Sequence, residues 1–173
     1  MKIFVTGRPG SGKTTTLLKC FDYLSKKYKV GGILTLEVRE FGKRIGFEVL
    51  DVYSKKREIF ASIYYKTNKK VGKYGVEIEK FDKIFLNAIE FSMKECQIII
   101  IDEIGKMEFL SNNFVIFLEK ILNSDKILIA SLHLNFVDRF KNYGKIYYLD
   151  FGKSDIISKE ICSEVEKYLE SKN

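Results

Sequence analysis

The residues best placed to do chemistry stand at the start of the chain. Gly7-Arg8-Pro9-Gly10-Ser11-Gly12-Lys13-Thr14 fits the spacing G-x-x-x-x-G-K-[ST] at every fixed position. The chemistry this offers is the binding of a polyphosphate. Gly7, Gly10 and Gly12 let the backbone curl tightly and approach an anion, and the freed N–H groups point inward. The positive end of a following helix dipole adds to them. Lys13 supplies a point charge for the β- and γ-phosphates, and the Thr14 hydroxyl supplies a ligand for Mg²⁺. The candidate nucleotide-binding residues are therefore Gly7, Arg8, Pro9, Gly10, Ser11, Gly12, Lys13, Thr14 and Thr15.

A chance glycine turn would meet the same spacing, so the flanks matter. Lys2 to Thr6 is a short, β-rich apolar segment. After the motif, Leu17, Leu18, Phe21 and Leu24 recur at helical spacing. The motif thus sits where a buried strand turns into a helix of about 13–28.

A second constellation lies near residue 100. Ile98-Ile99-Ile100-Ile101 lacks alternation, which predicts a central parallel strand buried on both faces. It ends in Asp102-Glu103, a Walker B pattern. A carboxylate at the C-terminal end of such a strand faces the crevice where α/β folds bind ligands. Asp102 is expected to hold Mg²⁺ through water beside Thr14, which makes Thr14 and Asp102 the expected metal-side residues. Glu103 is expected to touch the bound nucleotide site and to orient or deprotonate the attacking water. Lys13 and Glu103 are the expected catalytic residues. Taken alone, an Asp-Glu pair after an apolar strand reads equally as two helix-opening carboxylates; the upstream loop favours the metal reading.

Other residues are weaker candidates. Ser131 ends the next apolar segment, Lys126 to Ser131, which is expected to lie beside the phosphate-loop strand. Its hydroxyl either meets the γ-phosphate or the attacking water, or is an ordinary turn serine. His133, the single histidine, reads as a hydrogen-bonded loop residue. Hydrolysis also needs positive charge on the transferring phosphoryl group. Arg8, Arg39, Arg44 and Lys106 are candidates, each readable as a surface cation.

The remaining elements must position these groups. Gly31-Gly32 is expected to break the first helix. Ile33 to Arg39 and Arg44 to Val52 predict a hairpin around Phe41-Gly42-Lys43. Further β-like segments follow at Glu58 to Tyr65 and Val71 to Ile78. Residues 33–79 are therefore expected to form an antiparallel extension of a parallel core. Helices are predicted at 80–95, 111–123 and 155–170, and a last strand at 146–149.

Composition sets the class. A chain of 173 residues, 46% hydrophobic and 31% charged, is expected to be one soluble domain spanning 1–173. The chain enters a strand at once, so no signal peptide is expected. Cys20, Cys96 and Cys162 are odd in number and far apart, which fits buried thiols in a reducing cytoplasm. The net charge of +7 suggests nucleic acid at first sight, but only five of the thirty basic residues are arginine. Arginine is the usual residue for bidentate phosphate and base contacts, so nucleic acid is not an expected partner. Abundant lysine and glutamate also suit a thermophilic surface.

The sequence resembles the nucleoside-triphosphatase family described from thermophiles and, in animals, as cancer-related nucleoside triphosphatase. Four blocks carry the likeness: Val5 to Thr15; Glu37-Val38-Arg39 with Arg44-Ile45-Gly46-Phe47; Val71-Gly72-Lys73-Tyr74; and Asp102-Glu103-Ile104-Gly105-Lys106-Met107-Glu108. They occur in the family's order, and the last is the most specific. The resemblance implies an α/β fold of the RecA-like P-loop kind, with a mostly parallel central sheet flanked by helices. It implies slow Mg²⁺-dependent hydrolysis of nucleoside triphosphates (ATP, GTP, CTP, UTP) with little base preference. The expected state is a cytoplasmic monomer that touches no membrane. One departure stands out. The family often carries an Asn-Arg pair after its last core strand, where this chain reads Asp150-Phe151-Gly152-Lys153-Ser154.

Two other functions use the same loop. A small-molecule kinase needs an acceptor pocket and usually a mobile lid with several arginines; Arg39, Arg44 and Arg57 are few, and Glu103 favours water. A nucleic-acid- or protein-stimulated switch usually takes an arginine from a neighbouring subunit.

Overall fold

Nine strands make one sheet in the computed structural model, which describes residues 1–172. The strands are β1 (Lys2–Thr6), β2 (Val30–Glu40), β3 (Lys43–Asp51), β4 (Arg57–Ser62), β5 (Lys70–Val71), β6 (Tyr74–Val76), β7 (Ile98–Ile104), β8 (Ile127–Leu132) and β9 (Lys145–Tyr148). Their order across the sheet is β5-β6-β4-β3-β2-β7-β8-β1-β9. From β2 to β9 every pairing is parallel. From β2 to β5 every pairing is antiparallel. This is an α/β fold: a parallel core flanked by helices, with an antiparallel extension.

The helices are α1 (Lys13–Leu24), α2 (Ile78–Glu95), α3 (Asn112–Leu122), α4 (Val137–Phe140) and α5 (Ser154–Glu170). The isoleucine run of β7 explains how they share the sheet. Ile98 and Ile100 face one side, where they meet Leu17 and Cys20 of α1 and Ile161 and Val165 of α5. Ile99 and Ile101 face the other, among Phe81 and Phe85 of α2, Phe114 of α3 and Phe140 of α4. A strand covered on both faces needs no polar alternation. The phenylalanine side is tightly interleaved: Phe85 has its ring centroid 5.3 Å from that of Phe81 and 5.4 Å from that of Phe114.

The topology sets up the site. β8 lies between β1 and β7, so the C-terminal ends of all three open at the same edge of the sheet. β1 runs directly into the glycine-rich loop, and β7 ends with Asp102-Glu103. β2 has two roles. Val30 to Ile33 pair in parallel with β7, and Ile33 to Glu40 pair with β3. The extension is thereby anchored in the core and projects past the same edge.

The first helix stops at Leu24, not near residue 28, and residues 25–28 close it as a turn. Gly31 and Gly32 do not break it; they lie inside β2. Their glycine character answers to packing. A Cβ on Gly31 would stand 2.2 Å from Ser92 Oγ of α2. Gly32 has φ +119°, and a Cβ there would stand 1.9 Å from the Ile100 carbonyl oxygen. The extension's later strands are also shorter than the β-rich composition suggests. β4 ends at Ser62, and a turn over residues 72–73 interrupts the Val71 to Ile78 segment. No helix among the described residues is long and apolar enough to cross a membrane.

Gly32→Ala combines a left-handed φ with a collision against backbone, so the fold is expected to lose more than about 3 kcal/mol. Denaturant unfolding of the variant checks this, and a loss below about 1 kcal/mol would contradict the packing account.

Candidate active site

The loop between β1 and α1 is wrapped around its own lysine. Lys13 Nζ donates to the Gly7 carbonyl at 3.0 Å and to that of Arg8 at 3.3 Å. Gly12, at φ +100°, takes the left-handed turn that starts α1, a conformation costly to any residue with a Cβ. Ser11 N–H donates to Arg8 O at 3.1 Å and tightens the loop further. The Ser11 hydroxyl is buried without a hydrogen-bond partner. A buried polar atom left unpaired is expensive, and one inside an anion cradle suits a loop completed by a ligand.

Thr14 and Asp102 meet across the sheet's edge. The Thr14 hydroxyl donates to Asp102 Oδ2 at 2.7 Å. On the other carboxylate oxygen, Oδ1, the Ser131 hydroxyl donates from the neighbouring strand β8. Thr6, the last residue of β1, donates its hydroxyl to Leu132 O at 2.8 Å and ties the two strand ends together. Asp102 is only 2% exposed. Burial pushes its carboxyl up to about 6, against the pull of the Ser131 and Thr14 hydroxyls and the Lys13 charge.

The register of β7 against β8 shifts between Ile101 and Ile104, and the Asp102–Glu103 peptide is cis. Glu103 is partly buried, and that burial raises its pKa while the charges of Lys13 and Arg44 pull it back.

A third carboxyl stands close by. Glu108 opens a short 3₁₀ turn (Glu108–Leu110) and is 3% exposed. Burial raises its pKa well above the usual carboxylate range, and the neighbouring Glu103 and Asp102 charges add to the rise. Its one side-chain neighbour by hydrogen bonding is the Thr35 hydroxyl at 3.5 Å. Sequence reasoning assigned Glu108 no role. Its only signal was membership of the Asp102 to Glu108 block, because a single 3₁₀ turn is too short to show which side faces inward.

The four candidate cations separate. Arg44 is built into the wall of the extension. Its Nη1 donates to Glu37 Oε1 at 2.6 Å, its Nε donates to the Tyr74 hydroxyl at 3.0 Å, and its guanidinium lies 5.1 Å from the Phe47 ring centroid. Its charge is felt by Glu103. Arg39 is held at the hairpin tip by Glu37 and the Gly42 carbonyl. Arg8 is exposed on the loop. Lys106 is exposed on the His133 side, where its charge helps to lower the His133 pKa, after burial. His133 Nδ1 accepts from Asn135 N–H at 3.3 Å, the loop role its sequence context suggested. Ser131 does lie on the strand beside β1, but its hydroxyl is engaged with Asp102.

The residues present fit Mg²⁺. Thr14 and Asp102 offer only oxygen, which suits a hard divalent cation. Among the described residues no group of three or more His, Cys, Asp or Glu side chains could cage a metal. Mg²⁺ needs no such cage, because it commonly takes one or two carboxylates and completes its shell with water and substrate phosphates.

The chain is similar to known proteins over almost its whole length. The family model described as NTPase matches residues 2–162. The chain is 42% identical over 167 residues to nucleoside-triphosphatase THEP1 of Methanocaldococcus jannaschii, covering 95% of this chain and 97% of that protein. It superimposes on the crystal structure of THEP1 from the hyperthermophile Aquifex aeolicus with a TM-score of 0.84 and 31% identity, over 96% of this chain and 99% of the other. The solution structure of a human cancer-related nucleoside triphosphatase matches with a TM-score of 0.79 and 27% identity, over 96% and 97% of the two chains.

The raised Asp102 pKa gives a signed pH effect. In the fold this carboxyl holds its proton up to about pH 6, whereas the unfolded chain releases it near about 3.9. Ionised Asp102 therefore weakens the metal-free fold increasingly as pH rises through that window. The unfolding free energy of Asp102→Asn minus that of the parent is expected to grow by on the order of 2–3 kcal/mol between pH 4 and pH 7.5. Metal-free urea titrations at several pH values check this; a flat difference would contradict a buried, destabilising charge.

Proposed function

The chain belongs to the NTPase family, and from that premise we propose that it hydrolyses nucleoside triphosphates to the diphosphate and phosphate, with Mg²⁺ and broad base tolerance. The observation that carries this reading is the 2.7 Å hydrogen bond between Thr14 and Asp102. It joins the phosphate loop to the carboxylate strand, with Glu103 as the next residue.

Each residue then has a role. The loop from Gly7 to Thr15 cradles the phosphates with its backbone N–H groups. Lys13 Nζ exchanges the carbonyls of Gly7 and Arg8 for the β- and γ-phosphates. Thr14 and Asp102 hold Mg²⁺, and Ser131 fixes the carboxylate's orientation through Oδ1. Bound Mg²⁺ supplies charge neutralisation on the phosphate oxygens. Glu103 accepts the proton of the attacking water, and its raised pKa makes it a stronger base than an exposed glutamate. The positive charges of Lys13 and Arg44 keep it ionised enough for that task. Burial and the neighbouring Glu103 and Asp102 charges both raise the Glu108 pKa, which disfavours a third negative charge beside the site.

The proposed state is a cytoplasmic monomer, and the pairing of surface lysines with carboxylates supports a reading without a nucleic-acid partner. Lys19, Lys27, Lys29 and Lys141 are each paired with a carboxylate, which scatters the basic charge. The three cysteines are buried free thiols.

Lys13→Ala is expected to lower phosphate release by more than about 100-fold while the fold survives. Glu103→Gln is expected to bind Mg²⁺–triphosphate almost as the parent does and to turn over about 10²–10⁴ more slowly. Single-turnover hydrolysis with a parallel binding titration checks both. Parent-like turnover in either variant would remove that residue from the mechanism, and product that appears only with an added acceptor would make the protein a kinase. Purine and pyrimidine triphosphates are expected to differ in kcat/KM by less than about two orders of magnitude. A sharp requirement for one base in a phosphate-release assay would contradict the broad reading.

A further inference from the structure

Two of the three cysteines meet behind the phosphate loop, between helices whose thiols the hydrolytic chemistry does not use. Cys20 lies on α1 and Cys162 on α5, and both belong to the buried layer on one face of the sheet. The Cys20 side chain is fully buried, and its Sγ donates to the Ser158 carbonyl at 3.8 Å. Ser158 stands one helical turn before Cys162, so the Cys20 sulfur is held against the turn that carries the other thiol. The two thiols also act on each other. Contact with Cys20 lowers the Cys162 pKa, and contact with Cys162, together with burial, raises that of Cys20.

Only one of the pair reaches the surface. Cys162 lines a groove of about 480 Å³ whose walls include Lys19, Tyr23, Ser163 and Glu166. That is the volume range of small-molecule sites. The charges at its rim are paired: Lys19 with Asp155 at 2.7 Å, and Glu166 with Lys27 at 2.6 Å and with the Tyr23 hydroxyl at 3.1 Å. Cys96 gives the contrast. It follows the end of α2, and burial raises its pKa. A thiol with thiolate character at the floor of a groove, with a second thiol behind it, is the arrangement of an attacking and a resolving cysteine.

We propose that Cys162 is a modification site for small-molecule disulfides, and that Cys20 is the resolving thiol that turns the adduct into a covalent staple between α1 and α5. The Cys162 thiolate attacks one sulfur of the small disulfide, its S–S bond breaks, and one half leaves as a thiolate. Cys20 loses its proton to the departing half and attacks the Cys162 sulfur, so the Cys20–Cys162 bond forms and the second half leaves as a thiol. The protein pair is oxidised by two electrons and the small disulfide is reduced by two. Excess small thiol reverses both steps. The staple ties down α1, the helix that starts from the phosphate loop. At the other end of this helix pair, a Cβ on Gly12 would stand 3.6 Å from Ser154 Cβ of α5.

The test treats the folded parent, Cys20→Ala, Cys162→Ser and Ser163→Trp with glutathione disulfide. Each protein is then alkylated in denaturant and mapped by peptide mass. The parent is expected to carry a Cys20–Cys162 disulfide and an alkylated Cys96. Cys20→Ala is expected to stop with one glutathionyl group on Cys162, and Cys162→Ser to keep both remaining thiols alkylated. Ser163 is exposed on the groove, so a tryptophan there should block entry and slow the parent reaction by about 10-fold or more. The melting midpoint of the oxidised parent should rise on the order of 5–15 °C and fall back with dithiothreitol. The parent's own peptide map needs no variant to fold. Three alkylated thiols in the parent, a reaction that stops at the mixed disulfide, or an unchanged midpoint would each overturn the proposal. So would modification of Cys96 at the same rate, which marks entry by unfolding, or a parent-like rate in Ser163→Trp.

Discussion

Asp102 is a carboxylate taken out of water at the end of an apolar strand, and its surroundings depend on that burial. Two hydroxyls close on its oxygens, Thr14 from the start of α1 and Ser131 from the end of β8. They offset part of the desolvation, but the carboxyl is still pushed up to about 6. A cation held here would offset the remainder. The sheet order makes this arrangement possible. With β8 between β1 and β7, a serine on the middle strand reaches the acid while the loop from β1 brings a threonine to its other side. A sheet with β1 directly beside β7 would leave no middle strand to supply that second donor.

The antiparallel extension is part of the same site. β2 starts beside β7 and continues past it into the hairpin with β3. Along the way it carries Thr35 to the buried Glu108, and the hairpin holds Arg44 where its charge reaches Glu103. Arg44 is fixed by Glu37, the Tyr74 hydroxyl and the Phe47 ring, so three extension strands share in placing one guanidinium. Lys13 and Arg44 both act on Glu103, and each comes from a different part of the chain.

Much of this was legible in the sequence because its signals are local. The glycine spacing, the strand before it and the helix after it lie within the first 28 residues. The unalternating isoleucines of β7 announce two covered faces, and the structure supplies an α1/α5 face and a phenylalanine face. What stayed hidden depends on distant partners. Gly31 and Gly32 read as a helix stop, since nothing nearby reveals that Ser92 and Ile100 press on them. Arg39 and Arg44 looked equivalent at the hairpin tip until cross-strand pairing bound one to the tip and the other to Tyr74.

The account centres on Thr14 and Asp102 holding a divalent cation against phosphates bound in the loop. Its most direct test is a crystal grown with Mn²⁺ and a non-hydrolysable triphosphate analogue, with diffraction recorded at the manganese edge. The account predicts an anomalous peak between the Thr14 hydroxyl and the Asp102 carboxylate, and Lys13 moved from the loop carbonyls onto the phosphates. A peak elsewhere, with Lys13 still on Gly7 and Arg8, would contradict it.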